Sequence, residues 1–351
     1  MSGLFAYSNP RLIHWGPGAV SSLGEELARL EARRVALVTA RSLVAEERLI
    51  SVVQSALGEA RVAVTAVVGQ HAPMAQVDAA IRAAGAAEVD GVVSFGGGSP
   101  IDAAKILAVK LADHAGHAPR ALPHVAIPTT LSAAELAAGA GFTDDAGNKA
   151  GIRDARLLPD AVIYDAELTL ATPLALWLST GIRSLDHAVE GFMAEGLHPF
   201  SDVMALEAIR RLFDSLPRAK AAPGDTGVRT ENQLAAWFSF TLPAQSAGGL
   251  SHMMGKQIGA RYGIAHGVTS CLLLPHVMRY LKSKQPERMA LLEAATGGDA
   301  ADRVQSLIES LGLPQHIAAY GIGKAELHKA AGAIAGKYPA GELLEIYLAA
   351  L

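Results

Sequence analysis

The stretch SFGGGSPIDAAK, residues 94–105, decides the fold, because three consecutive glycines join a predicted strand to a predicted helix. The run VDGVVSFGG (89–97) is almost wholly apolar, which is typical of a strand buried on both faces of a parallel sheet. The helical pattern PIDAAKILAVKLAD (100–113) follows it, with Ser99 as a candidate cap and Pro100 near the helix start. A phosphate group fits such a turn, and a plain strand-to-helix turn without a ligand is the other interpretation.

Strands and helices alternate on both sides of this turn. Residues 34–40, 61–69 and 124–130 are further predicted strands, and residues 48–57 and 74–87 are further predicted helices. Such alternation predicts a parallel sheet with helices on both faces. The pattern changes at 141–165, where Asp-Asp and Gly-Asn pairs predict a hairpin or an irregular connection.

Helical periodicity then continues almost to the end of the chain. The predicted helices are 174–195, 200–215, 230–246, 250–262, 267–281, 286–296, 300–312, 325–335 and 341–350. We therefore predict two domains, an α/β domain over residues 1–168 and an all-helical domain over residues 169–351.

Composition narrows the classes of partner. The 351 residues carry a formal net charge of −4 and no long basic run, which argues against nucleic acid or an anionic membrane as a partner. The first residues, MSGLFAYSNPRLIHWG, lack the pattern of a signal peptide, and no uncharged apolar run reaches about 18 residues. The single cysteine, Cys271, excludes an internal disulfide framework and fits a reducing compartment. We expect a cytoplasmic protein.

The candidate chemistry begins at GIRSLDHAVEGF, residues 181–192. One face of this predicted helix carries four polar side chains, Arg183, Asp186, His187 and Glu190. Further along, His252 and Lys256 share a helix face, and His266 stands at a predicted helix start. Imidazoles in such places are metal ligands or acid–base groups, and a buried structural role is the alternative for each of them.

The sequence resembles the iron-containing (group III) alcohol dehydrogenase superfamily, most closely its maleylacetate reductase-like branch. The resemblance covers nearly the whole chain and rests on five motifs, which are FGGGSPIDAAK (95–105), IPTTLSAAE (127–135), LLPDAVIYDAELT (157–169), TGIRSLDHAVEGF (180–192) and IAHGVTSCLLLPHV (264–277). It implies a Rossmann-like dinucleotide-binding domain with a parallel sheet, an all-helical catalytic domain and a cleft between them, the fold shared with dehydroquinate synthase-like proteins. A homodimer is the habit of the family.

The resemblance also implies an NAD(P) site. The residues that match the family's cofactor contacts are Gly96, Gly97, Gly98, Ser99, Asp102, Thr129, Thr130 and Lys149. After the first strand, Ala40 and Arg41 stand where an acidic residue would bind the ribose diol of NAD, so use of NADP is plausible. The family's Gly-Ser pair after the threonines is Ala133-Ala134 here, which puts contacts of that loop in doubt.

The largest departure concerns the metal. Metal-dependent relatives hold Fe²⁺ or Zn²⁺ with one Asp and three His; His187, His252 and His266 match the histidines, and Lys256 matches a frequent further active-site His. The Asp position, four residues before His187, is Arg183. A guanidinium stays protonated and repels a divalent ion by several kcal/mol at about 4–5 Å, so we expect no catalytic metal. The alternative is a metal on the three histidines with Asp186 as replacement ligand.

The sequence therefore predicts a metal-independent, NAD(P)H-dependent carbonyl reductase acting on a small carboxylated substrate, an oxo acid of maleylacetate type. Arg183 would polarise the carbonyl or hold a carboxylate, with His252, His266 or Lys256 supplying the proton. Arg183 in a purely structural ion pair is the contrary interpretation. Three other functions stay open: a metal-dependent dehydrogenase of simple alcohols, an NAD-using lyase or cyclase of dehydroquinate synthase type, and a non-catalytic nucleotide sensor.

Overall fold

The computed structural model describes residues 10, 12–116, 119–196, 198–240 and 249–351. These residues form two compact units, one ending at Thr172 and the other running from Pro173 to Leu351. The sequence put the domain division at 168/169. Among the described helices, none has the length and apolarity that crossing a bilayer requires.

The first unit is built on a parallel sheet. Its strands are β1 (Leu12–Trp15), β2 (Arg34–Ala40), β3 (Arg61–Val68), β4 (Gly91–Gly96), β5 (His124–Pro128), β6 (Gly139–Thr143), β7 (Lys149–Arg153) and β8 (Ala161–Tyr164). Six of them form one sheet in the order β1-β8-β5-β4-β2-β3, and every pair of neighbours is parallel. The predicted parallel α/β domain is confirmed.

Helices cover both faces of this sheet. They are α1 (Leu23–Arg29), α2 (Arg41–Val44), α3 (Glu47–Ser55), α4 (Met74–Ala86) and α5 (Gly98–His114). Successive β2 side chains point to opposite faces: Val35 and Leu37 join a buried cluster with residues of α1 and α3, while Ala36 and Val38 join one with residues of α4 and α5. Burial on both faces explains why the strands lack polar alternation.

The region 141–165 contains most of a hairpin, β6–β7, and then the strand β8. Strands β6 and β7 form an antiparallel hairpin around Asp144 to Asn148, as the turn residues predicted. Strand β8 then enters the large sheet beside β5, and β1 pairs with β8 at the sheet edge. Neither β1 nor β8 was predicted as a strand, because each has only four residues and the partners that stabilise them are distant in sequence.

The second unit is helical. Its helices are α6 (Leu174–Phe192), α7 (Pro199–Ala221), α8 (Thr226–Ser239), α9 (Leu250–Tyr262), α10 (His266–Lys284), α11 (Pro286–Thr296), α12 (Ala300–Leu311), α13 (Lys324–Ala333) and α14 (Ala340–Ala349). All nine predicted helices are present. The predicted end of α8, residues 241–246, lies outside the described residues.

Helix α6 is the centre of this unit. It packs against α7, α8, α9 and α10, and every residue from Trp177 to Phe192 is buried. The polar face predicted for it is therefore an interior face. Close packing depends on Gly267 at the start of α10, where a Cβ would lie 2.7 Å from the backbone carbonyl carbon and oxygen of Ser179.

Replacing Gly267 by alanine should force α6 and α10 apart. We expect Gly267→Ala to lower the free energy of unfolding by about 1–3 kcal/mol, the usual cost of overpacking. The matched control is Gly332→Ala near the end of α13, where an added Cβ has open space and should stabilise the helix by up to about 1 kcal/mol. Denaturant unfolding of the two variants measures both effects, and equal midpoints would contradict this packing argument.

Candidate functional site

The glycine turn lies where β4 ends and α5 begins. Gly96 has φ 152°, a conformation that L side chains rarely adopt, and Gly97 is the N-cap residue of α5. A Cβ on Gly97 would lie 3.0 Å from Thr130 Cγ2, and one on Gly98 would lie 3.3 Å from Ser132 Oγ. The three glycines thus let the following loop approach the first turn of α5, whose N–H groups suit an anion such as a pyrophosphate.

Ser99 and Pro100 occupy other positions than those predicted. Ser99 is inside α5 and does not cap it; its Oγ accepts a hydrogen bond from the backbone N–H of His71 at 2.9 Å. Pro100 is the third helical residue. Gly97 is the N-cap residue instead, because the backbone conformation of the turn sets where the helix starts. A side-chain pattern does not encode that conformation.

The threonine pair is attached to this turn. The backbone N–H of Thr129 donates to the Gly96 carbonyl at 2.9 Å, and the Thr129 carbonyl accepts from the Thr172 hydroxyl at 2.7 Å. Ala133, in the position of the family's glycine, has φ 57° and is fully buried. The loop therefore keeps a left-handed conformation, at a cost of about 1 kcal/mol for a residue with a Cβ.

The other predicted cofactor residues lie around the same turn. Asp102 accepts a hydrogen bond from the Gly141 N–H at 3.0 Å, and Lys149 begins β7. Burial and the Lys149 ammonium lower the pKa of His71, so Lys149 is near the loop that contacts Ser99. Ala40 ends β2, whose Thr39 pairs with Phe95 one residue before the glycines.

In the helical unit, Arg183 lies inside a cluster of polar groups. Its guanidinium, with the residue only 5% exposed, donates from Nη1 to Asp186 Oδ2 at 3.1 Å and to Ser270 Oγ at 3.0 Å. Its Nη2 contacts the imidazole of His252. The Arg183 guanidinium therefore contacts both a counter-ion, Asp186, and the imidazole of His252.

Asp186 is fully buried and joins three helices. Its Oδ2 accepts from Arg183, from the Ser251 hydroxyl of α9 at 3.0 Å and from the Ser270 hydroxyl of α10 at 2.6 Å. Burial raises the pKa of Asp186, and the Arg183 cation and these donors act in the opposite direction. Oδ2 thus has three donors at the helix junction, whereas Oδ1 has no hydrogen-bond partner among the described residues.

Glu190 binds the start of α9 through both of its carboxylate oxygens. Its Oε2 accepts from the Gly249 N–H at 2.8 Å and its Oε1 from the His252 N–H at 2.9 Å, so it caps the start of α9 from α6. Burial and the Asp186 charge raise the pKa of Glu190 well above its ordinary value. The cap sets the position of His252 relative to α6.

The three histidines lie in one region of the unit. The ring centroids of His187 and His252 are 6.2 Å apart, and the His187 ring also packs edge-on against Phe240 at 4.9 Å. Burial, Arg183 and His266 lower the pKa of His187 well below its ordinary value, so it is neutral. His187 Nδ1 has no hydrogen-bond partner among the described residues. His266 is the first residue of α10.

Lys256 lies one turn after His252 on α9, and its side chain is exposed. The buried part of the site therefore consists of Arg183, Asp186, Glu190 and His187, together with the half-buried His252.

Arg183 opposes the binding of a divalent cation at this site. A guanidinium occupies the carboxylate position and contacts His252, one of the imidazoles a metal would need. The replacement carboxylate, Asp186, has its Oδ2 bound by Arg183 and two hydroxyls, which leaves only Oδ1 for a ligand. Within the part of the chain that the structure describes, no group of three or more His, Cys, Asp or Glu is arranged for a metal ion.

Sequence reasoning missed several contributors. Ser251 and Ser270 complete the Asp186 cluster, and Phe240 packs on His187. Ser270 follows His266 by one helical turn, so helical spacing was an available signal for it. Ser251 is adjacent to His252 and points in another direction, and Phe240 is the C-cap residue of α8, so neither had such a signal.

Comparison with known proteins identifies the family of this chain. The model of the family described as iron-containing alcohol dehydrogenase matches residues 10–166, and that of its C-terminal domain matches residues 177–339. The maleylacetate reductase of Sphingobium indicum is 32% identical over 332 residues, covering 94% of this chain and 90% of that protein. The maleylacetate reductase of Pseudomonas sp. strain P51 is 33% identical, with 94% and 90% covered.

A solved structure extends the likeness to three dimensions. The maleylacetate reductase from Agrobacterium tumefaciens superposes with a TM-score of 0.88 at 29% identity, covering 100% of this chain and 99% of that one. The chain is therefore an NAD(P)-dependent oxidoreductase that belongs to the iron-containing alcohol dehydrogenase superfamily, in its maleylacetate reductase branch.

Proposed function

We propose that this enzyme reduces the carbonyl group of a small oxo acid, of the maleylacetate type, without a divalent metal. The observation that carries the proposal is Arg183, a buried cation that contacts His252 at the position of the metal-binding carboxylate. Relatives that share most of the chain are maleylacetate reductases, which supports the substrate class.

The proposed cofactor site consists of Gly96, Gly97, Gly98 and Ser99 at the start of α5, with Asp102, Thr129, Thr130 and Lys149 around it. The first turn of α5 would hold the pyrophosphate through its N–H groups. When bound, NAD(P)H supplies the hydride for the reduction.

In the helical unit, Arg183 would stabilise the negative charge that develops on the carbonyl oxygen, or hold a substrate carboxylate. Asp186 and Ser270 occupy Nη1, so Nε and the remaining Nη2 hydrogen are the donors available for this purpose. His252, which contacts that guanidinium, is the proposed proton donor to the alkoxide, and His266 is the alternative. Lys256 is exposed, and His187 is buried and neutral. We therefore assign these two residues to substrate contact and to the shape of the site instead of proton transfer.

The function is tested by assaying purified enzyme with maleylacetate and simple aldehydes, following NADH and NADPH oxidation with and without a chelator. We expect oxo-acid reduction above about 1 s⁻¹ that is insensitive to chelation. Stoichiometric iron or zinc with chelator-sensitive activity would instead indicate the metal-dependent dehydrogenase. Turnover without net NAD(P)H consumption would indicate the lyase or cyclase.

Removal of the Arg183 charge should affect the reaction itself. We expect Arg183→Met to lower kcat/KM for the oxo acid by about 100-fold or more, the usual loss when a charge-stabilising donor is removed, and Arg183→Lys to lower it less. Arg279→Met is the matched control, because Arg279 is an exposed partner of Asp302 and its loss should leave kcat/KM within about twofold. Equal kcat/KM in Arg183→Met and wild type would show that Arg183 is only structural.

The opposite substitution tests the metal. Arg183→Asp returns a carboxylate to the ligand position beside His187, His252 and His266, and it removes a cation that repels the ion. We expect the variant to bind Zn²⁺ measurably more tightly than wild type in metal analysis after dialysis. Equal zinc content in the two proteins would refute this account of the missing metal.

Cofactor preference has its own test. Ala40 ends β2 next to the strand that leads into the glycine turn, and Arg41 follows it, so neither residue places a carboxylate against a 2′-phosphate. We expect Arg41→Glu to lower the ratio of kcat/KM with NADPH to that with NADH by about tenfold, with Arg48→Glu on α3 as a control of equal charge change. An unchanged ratio in Arg41→Glu would rule out this role.

The homodimer and the cytoplasmic location stay predictions.

A further inference from the structure

Lys105 of α5 is a fully buried lysine that no step of the proposed chemistry uses. Its Nζ donates to the backbone carbonyls of Ala134, Ala137 and Gly139, the last two at 2.8 and 2.9 Å. An ammonium has three N–H donors, so these three carbonyls can use all of them. The carboxylate of Asp102 lies farther away, with its Oδ1 at 3.7 Å from Nζ.

The same face of α5 holds both ends of one loop. Gly98, Asp102 and Lys105 are spaced i, i+4 and i+7, so they follow one another along that face. Near Gly98 the helix start contacts Thr130 and Ser132, while Asp102 and Lys105 bind the backbone of residues 134–141. The loop 129–141 is thus anchored to α5 at both ends.

The middle of this loop has a conformation that needs such anchors. Ala133 has φ 57°, which is unfavourable for a residue with a Cβ and persists only when surrounding contacts hold it. Next to it, Glu135 is fully buried and its Oε1 accepts from the Tyr164 hydroxyl at 2.8 Å. Lys105 from α5 and Tyr164 from β8 therefore hold the loop from two elements.

We propose that Lys105 is a positioning residue for cofactor binding, which holds the loop 129–141 so that Thr129 and Thr130 stay seated on the glycine turn. This inference rests on the cofactor site proposed above. Without the ammonium, three buried carbonyls lose their donor, and the loop must rearrange to find others. The expected consequence is weaker cofactor binding, with little change in the chemical step once cofactor is bound.

The test is a titration of NADH and NADPH, followed by cofactor fluorescence, on Lys105→Met and Lys105→Gln. Methionine removes the charge at similar length, and glutamine keeps two N–H donors on a shorter chain. We expect Kd for the preferred cofactor to rise about tenfold in Lys105→Met, or about 1.4 kcal/mol, and less in Lys105→Gln. At saturating cofactor, kcat should change by less than about threefold, which separates positioning from catalysis.

Leu111→Ala is the matched control for stability. Leu111 is buried on the same helix near Gly85 and away from the loop, so its truncation should destabilise the unit without changing Kd. An unchanged Kd in Lys105→Met, or an equal rise in Leu111→Ala, would overturn the proposal. If Lys105→Met does not fold, an unchanged Kd in Lys105→Gln would overturn it as well. Failure of wild type itself to bind either nucleotide would refute the proposed cofactor site instead.

Discussion

The ion pair between Arg183 and Asp186 is the constraint on which the helical unit depends. The two residues are one turn apart on α6, and both are buried. A buried carboxylate without partners is destabilising by several kcal/mol, so Asp186 requires donors wherever α6 enters the core. Arg183 supplies one, and Ser251 and Ser270 supply the others from α9 and α10. Satisfying one charge thereby fixes the relative position of the three helices that carry the candidate site.

Each unit has one helix on which site residues repeat with the same spacing. Helix α5 places Gly98, Asp102 and Lys105 at i, i+4 and i+7, and helix α6 places Arg183, His187 and Glu190 at the same spacing. In α6 this face is buried and Glu190 binds the start of α9, while in α5 the buried Lys105 and the partly exposed Asp102 bind the backbone of one loop. A buried polar group is costly when it lacks a partner, so the groups that have partners favour one arrangement of the site.

Within the iron-containing alcohol dehydrogenase superfamily, Arg183 stands where metal-dependent members have a metal-binding carboxylate. A guanidinium in place of a metal-binding carboxylate changes the local charge in the direction opposite to what a divalent ion needs. The same substitution introduces a fixed donor for an oxyanion or a carboxylate, which in the proposed function takes the electrostatic role of the ion.

The sequence by itself determined the alternation of strands and helices, the glycine turn, the helices in the described part of the second unit and the candidate residues, because each rests on local periodicity or a short motif. It also placed Arg183 on one face with Asp186, since both lie within one turn of α6. Tertiary structure alone decided that Asp186, and not Glu190, binds Arg183, that Glu190 caps α9, and that β1 and β8 are strands. Those outcomes depend on partners far away in the chain, such as Ser270 or Gly249, and no local pattern encodes which distant donor a buried carboxylate meets.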